Sequence, residues 1–420
     1  MKKMRTMALL MIVIAIAFFA CEDDPVKSEK KFDSYGIQTV MSVATAEDAN
    51  PEIVRMVPGT DNKAVFIASA TKQLFPITYS PTSFTIDQPM NLAIDSDTEE
   101  MTSIDVSQPI NGVNYVAVLV AKTDCERGSV LLVNFNTGAI VKRIDGIGYN
   151  PDGCAFTKNS THLIVACEDD REDRTCKPDD RHGGSVTIID LTDGIANATL
   201  AQDYLVDYDV DSEPEHAETN AQGDVVVSVQ ETSDILVFNV SDLPLDAGDI
   251  TTVHQPNDAG GNEAEPDGLF ISPDGEWALI SNERNGTFQM LDIQAKAMVG
   301  SPYVIKDDFP DGWQMDARKS TKQTEPEECS LVEKDDKLYA ILALQESHAV
   351  VVYDVTDPAN PVFDSMSEAG IGWEEDNEME KSKIGSEGLS AHPTNGVAFS
   401  ANEREGSITM YTASWAREDD

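Results

Sequence analysis

Acidic residues recur along this 420-residue chain at fixed intervals. Asp152, Glu215, Asp267 and Glu387 are each followed 16 residues later by Glu168, Glu231, Glu283 and Glu403, and Glu327 is followed after 19 by Glu346. Two weaker members, Glu52 and Glu100, stand upstream of the series. Carboxylates gathered on one face repel one another unless protons, hydrogen-bond donors or metal ions compensate them. Hard oxygen ligands without His or Cys select Ca2+ or Mg2+ over zinc or copper. The ten paired residues from Asp152 to Glu403 are therefore candidate ligands for Ca2+. The alternative is that each carboxylate accepts backbone N–H bonds from a neighbouring unit and welds the fold together with no ion.

Three further groups could carry chemistry. The excursion Glu168–Gly184 holds Arg171, Arg174, Arg181 and His182, the densest basic cluster in an acidic chain, and long loops of this kind often bind. A second excursion, Ile305–Thr324, adds Trp313 as a wall of the same pocket. Cys167 and Cys176 flank the first excursion and could close a loop-stapling disulfide. The alternating acids Asp207, Asp209 and Asp211 lie on one side of an extended strand. They lack the Gly and distal Glu of a helix-loop-helix calcium loop and read better as a solvated edge. Gly-x-Ser-x-Gly, a phosphate-cradling Gly-rich loop with Lys, and His-Glu-x-x-His are all missing from the chain.

The elements that position these residues repeat. Each unit reads as an acidic residue after Pro, an apolar strand, a turn, a second strand, a Glu, a short turn and a third strand. The clearest copy runs from Pro266-Asp267-Gly268 through Pro273-Asp274-Gly275 to Asn282-Glu283-Arg284. Copies start at residues 52, 100, 152, 215, 267, 327 and 387, which lie 48 to 63 residues apart. Such a period holds four short strands and their turns, one blade of a propeller. The strands are β-branched and aromatic, the turns are of Asp-Gly and Asn-Gly type, and helical periodicity is nearly absent. The expected fold is an all-β, seven-bladed β-propeller over residues 34–414. The last copy supplies three strands, so the alternating segment Gly36–Thr45 is expected as its missing outer strand, closing the ring and covering an edge.

The phrases Glu265-Pro266-Asp267-Gly268 to Asn282-Glu283, Pro214-Glu215 to Glu231, Pro326-Glu327 to Glu346 and Glu387-Gly388 to Glu403 resemble the bacterial choice-of-anchor I extracellular β-propellers. Those are similar in turn to mesenchyme-specific cell-surface glycoproteins, and more distantly to lactonase-like and phytase-like propellers. The resemblance implies an anchored surface protein with a seven-bladed ring and does not name an activity.

The N-terminus has a basic start (Lys2, Lys3, Arg5), an apolar run from Met7 to Ala20, and then Cys21. At 1.5 Å per residue the run reaches about 21 Å, short of a ~30 Å membrane core. It resembles a bacterial lipoprotein signal over residues 1–20, with a lipid on Cys21 and a polar tether over 21–33. Residues 415–420 read as an acidic tail. Removing the signal leaves 27 Lys and Arg against 75 Asp and Glu. That balance excludes nucleic acid, whose binding rests on neutralising phosphates. The expected protein is a monomeric, extracytoplasmic lipoprotein on a bacterial membrane. It binds a protein or polysaccharide partner at its carboxylate-rich face, with Ca2+. Two alternatives stand beside this reading: a calcium-dependent phosphoesterase or lactonase-like hydrolase using the same face, and a structural scaffold with no ion.

Overall fold

Tight turns and short β-rich runs produce antiparallel sheets: Gly275 and Gly396 take φ of 81° and 74° at two hairpin turns, a conformation open to glycine. The computed structural model describes residues 34–45, 49–95, 97–122, 126–168, 183–206, 212–258, 260–310, 323–370 and 385–415. They form seven sheets of four antiparallel strands, the first joined by the short extra strand Met90–Asn91. The chain is the seven-bladed, all-β propeller expected.

Within each blade the innermost strand comes first: Pro51–Met56, Glu99–Val106, Pro151–Phe156, Pro214–Thr219, Pro266–Ile271, Pro326–Lys334 and Ser386–Ala391. Second strands such as Val397–Asn402 are wholly buried, because neighbouring blades cover both their faces. Outer strands such as Thr199–Leu205 are exposed or half-buried.

Closure is visible in the packing. Seven apolar clusters occupy the interfaces between successive blades. Phe156 of blade 3 packs with Leu132 of blade 2, and Val54 of blade 1 packs with Phe399 of blade 7. An open stack of seven would have six interfaces; the seventh, between the last blade and the first, makes the ring.

The N-terminal strand Gln38–Ala44 pairs antiparallel with Ser407–Thr412 and completes the last blade. Just before it, the Tyr35 and Gly36 amides donate to Asp364, each at 2.9 Å, and the Tyr35 hydroxyl donates to the Gly396 carbonyl at 3.1 Å. Tyr35 meets Tyr339 and Trp415 edge-on, with ring centroids 5.5 and 5.8 Å apart. Trp415 is thus buried in the body, one residue beyond the expected boundary at 414.

Glycines let the inner strands approach one another. A Cβ on Gly153, Gly268 or Gly388 would overlap the backbone carbonyl of Glu215, Glu327 or Glu52 in the next blade. Gly268→Ala should therefore destabilise the ring by about 1–3 kcal/mol, as overpacking does. Chemical denaturation would check this, and an unchanged midpoint would show that the blades can spread freely.

Candidate functional site

A shared backbone device brings the acids to one mouth of the axial channel. The residue before the inner strand has positive φ in six blades: Asn50, Asn150, Glu213, Glu265, Glu325 and Gly385, at 41–56°. Its carbonyl accepts the N–H of the residue that follows the second strand, namely Ser69, Glu168, Gln230, Glu283, Gln345 and Glu403, at 2.8–3.2 Å. A β-bulge then interrupts the pairing just after the first residue of each inner strand. Bulges re-aim side chains. Here the bulged stretch carries the repeated acid, in a sheet whose inner edge faces the channel.

Six blades contribute a carboxylate at this position: Glu52, Asp152, Glu215, Asp267, Glu327 and Glu387. In blade 2 the register replaces it. Met101 pairs with Val120 and Ile104 with Val118, which puts Thr102 at the acidic position. Glu100 is exposed two residues earlier. The Thr102 hydroxyl donates instead to the Pro151 carbonyl at 2.5 Å.

The second set is also partly displaced. Glu168, Glu283 and Glu403 occupy the ring position. In blades 4 and 6 the partners of Pro214 and Pro326 are Val229 and Leu344, so Gln230 and Gln345 come next and take that place. Glu231 lies one residue on and is exposed. Glu346 is buried and ion-paired with Arg404 at 3.1 Å. The two glutamines bridge blades: Gln230 Nε2 donates to Glu283 at 2.7 Å, and the Gln345 amide donates to Glu387. Asn50 donates to Glu403 at 2.9 Å across the closure, and Asn150 donates to Glu168 within its own blade.

Two triplets result. The carboxylate oxygens of Asp152, Glu168 and Glu215 lie within 4.8 Å of one another, as do those of Glu283, Glu325 and Glu327. Glu325 is a member that the repeat does not announce. Carboxyl groups also pair directly, Asp152 with Glu215, Asp267 with Glu327, and Glu387 with Glu403. Burial and then the Glu403, Glu100 and Asp152 charges push Glu52 up to about 8. Burial and then Asp267 lift Asp152 to about 6. Burial first, and neighbouring acids second, hold Glu215, Glu327 and Glu387 well above the usual carboxylate range. Without a cation, the crowded carboxyls of the mouth therefore hold on to protons.

Deeper in the channel, three blades meet in a network that the repeat does not predict. Arg55 reaches Glu328 with both terminal nitrogens at 3.0 Å, and His216 Nδ1 lies 3.1 Å from the same carboxylate. All three are less than 10% exposed. Burial opposes the charge on Glu328, but Arg55 and His216 outweigh it and hold the group down to about 2. Ionisable residues inside otherwise apolar strands were the available signal. Their meeting requires the ring.

Much of the hydrogen bonding between blades passes through hydroxyls. Ser228 donates to the Asp267 carbonyl at 2.7 Å and Thr219 to that of Phe156 at 2.9 Å, while Ser390 accepts from the Met56 amide at 3.0 Å.

Cys167 is a free, buried thiol, 3.8 Å from the Thr187 hydroxyl, and burial, followed by the Asp203 charge, raises its pKa. Its expected partner Cys176 lies outside the described residues, as do Arg171, Arg174, Arg181, His182, Trp313, Asp207, Asp209, Asp211 and Cys21. Cys154 and Cys329 are free and buried as well.

Residues 52–300 match the family model of the choice-of-anchor I domain. No curated protein matches the chain. Among solved structures, a streptogramin B lyase is similar with a TM-score of 0.57 and 11% identity, over 90% of this chain and 97% of that one. The hydrazine synthase of Kuenenia stuttgartiensis is similar with a TM-score of 0.59 and 13% identity, over 93% and 99%. U3-55K is similar with a TM-score of 0.62 and 9% identity, over 90% and 98%. At these identities the likeness is one of fold.

Proposed function

The chain belongs to the choice-of-anchor I domain family, and from that premise we propose that it is a lipid-anchored, extracytoplasmic propeller that loads Ca2+ at its acidic mouth and offers the loaded mouth to a surface partner. The observation that carries the reading is the pair of carboxylate triplets with donor atoms within 4.8 Å. Ca2+ binds oxygen at 2.3–2.6 Å, so two ligands of one ion lie at most about 5 Å apart. The triplets fit that limit. All their donors are hard oxygens, which suits Ca2+ better than a softer metal. Asp152, Glu168 and Glu215 would hold one ion and Glu283, Glu325 and Glu327 another. Three side chains leave coordination positions for water or for a carboxylate or hydroxyl of a partner protein or polysaccharide. A bound ion would displace the protons that these carboxyls hold and fasten neighbouring blades to each other.

Anchoring rests on different support. Choice-of-anchor domains occur on bacterial cell-surface proteins. Among the described residues no helix is long and apolar enough to cross a membrane. Cys21, behind its basic and apolar leader, supplies the attachment point.

Calorimetric titration of the chelator-treated mature chain with Ca2+ tests the site. Saturable uptake should be found, and Glu215→Gln combined with Glu327→Gln should weaken it at least about tenfold, a loss of 1.4 kcal/mol or more. Absence of heat and of any thermal stabilisation would reject the cation reading. Cys21→Ser should release the protein from the membrane fraction; retention would reject the lipid anchor.

A further inference from the structure

The opposite mouth of the channel opens into a cavity of about 370 Å³ built by six of the seven blades. Its size is at the small end of ligand cavities. Met56, Pro58, Phe156, Phe270, Pro273 and Pro393 give it apolar walls. Asp105 and Glu218 contribute carboxylates to the same lining. One oxygen of Asp105 accepts the Phe156 amide at 2.7 Å, and one oxygen of Glu218 accepts the Thr219 amide at 3.3 Å and lies 3.5 Å from Lys158 Nζ. The second oxygen of each has no hydrogen-bond partner among the described residues. Burial, reinforced by the Glu218 charge, raises Asp105 to about 6, so it is mostly ionised at neutral pH and gains from a cation beside it.

We propose that this cavity binds a small organic amine, with the ammonium group between Asp105 and Glu218 and the apolar body against the Pro and Phe walls. Ammonium donors would satisfy the two spare carboxylate oxygens by charge-assisted hydrogen bonds in a partly dry site. An anion finds little here. Arg55 spends both terminal nitrogens on Glu328, and Lys158 is a half-exposed rim residue already beside Glu218. A bare metal ion would find two carboxylates, one fewer than either triplet offers, and the three-ligand clusters among the described residues all belong to the other mouth. The chain's net charge of −45 would also raise the local concentration of small cations.

The test uses the Ca2+-saturated mature chain and a set of primary-amine fragments (arylalkylamines, alkylamines and amino sugars), each paired with its N-acetyl derivative, which keeps the shape and loses the charge. Ligand-observed NMR and calorimetry should find amines that bind, each losing at least about tenfold in affinity on acetylation. Asp105→Asn and Glu218→Gln should each cost a similar factor while Ca2+ uptake is unchanged. Gln108→Trp, at an exposed lining position, should block binding by filling the mouth, and it remains informative if a carboxylate variant fails to fold. The proposal is overturned if no amine binds better than its acetylated partner, or if the carboxylate and Trp variants bind amines like the unaltered chain.

Discussion

Glu328→Ala should lower the thermal midpoint by about 4–6 °C. The carboxylate is buried between Arg55 and His216, both within 3.1 Å, and its removal leaves the buried Arg55 guanidinium without the carboxylate that it is hydrogen-bonded to. Removing one partner of a buried ion pair costs about 3–5 kcal/mol, and in a domain of this size each kcal/mol moves the midpoint by roughly 1–1.5 °C. Replacing Arg55 and Glu328 together by Met should recover most of the loss, because buried pairs exchanged for apolar residues are often neutral. The acid limb of the stability curve carries a matching signature. A carboxyl held below its unfolded value contributes stability above that value and loses it as pH falls through the folded one. With Glu328 at about 2, the loss falls between about pH 4.5 and 2. Calorimetric melts across that range check both statements. A Glu328→Ala chain as stable as the parent would show that the network holds nothing together.

Stripped of divalent cations, the protein should become less stable as pH rises from 5 to 8, and Ca2+ at pH 8 should restore it. The sign follows from the raised carboxyls at the acidic mouth. A group whose folded pKa exceeds its unfolded value binds more protons in the native state, so stability drops with pH between the two values. Asp152 at about 6 and Glu52 at about 8 define that window, and Glu215, Glu327 and Glu387 move in the same direction. His216 has a raised pKa, so its contribution is present at low pH and also fades as pH rises through the folded value. The comparison with and without Ca2+ therefore separates the mouth from the histidine. A ligand at 100 times its dissociation constant adds about 2.7 kcal/mol per site, so two sites should raise the midpoint by several degrees at pH 8 and by less at pH 5. Equal ionic strength of NaCl should not substitute. A midpoint indifferent to pH and to Ca2+ would contradict the carboxylate clustering.

Much of this molecule is legible in its sequence because the blade is a local object. Seven acidic phrases, β-rich runs and Gly turns announce the ring, and the unmatched alternating segment before the first blade announces its closure by Gln38–Ala44. Acid spacing locates the mouth but not the register of every blade. Counting from acid to acid placed Glu100, Glu231 and Glu346 in the ring, whereas strand pairing seats Thr102, Gln230 and Gln345 there. In blade 4 the length of the first hairpin decides the matter: Thr219 pairs with Val225 where Phe156 of blade 3 pairs with Leu163, so the return strand arrives one residue earlier. Glu325 joins a triplet from a positive-φ position before the strand, outside the repeated phrase. Arg55, His216 and Glu328 come from blades 1, 4 and 6 and meet only because the ring closes. The amine-sized cavity has the same origin, since six blades each contribute a few unremarkable residues to it.

Diffraction from crystals of the mature chain grown at pH 8 and soaked with Tb3+, an anomalously scattering stand-in for Ca2+, would show where the acidic mouth holds cations. Anomalous peaks are expected among the carboxylates of Asp152, Glu168 and Glu215 and among those of Glu283, Glu325 and Glu327, displaced by excess Ca2+. Peaks confined to the outer surface, with the triplets still joined carboxyl to carboxyl, would contradict the cation reading.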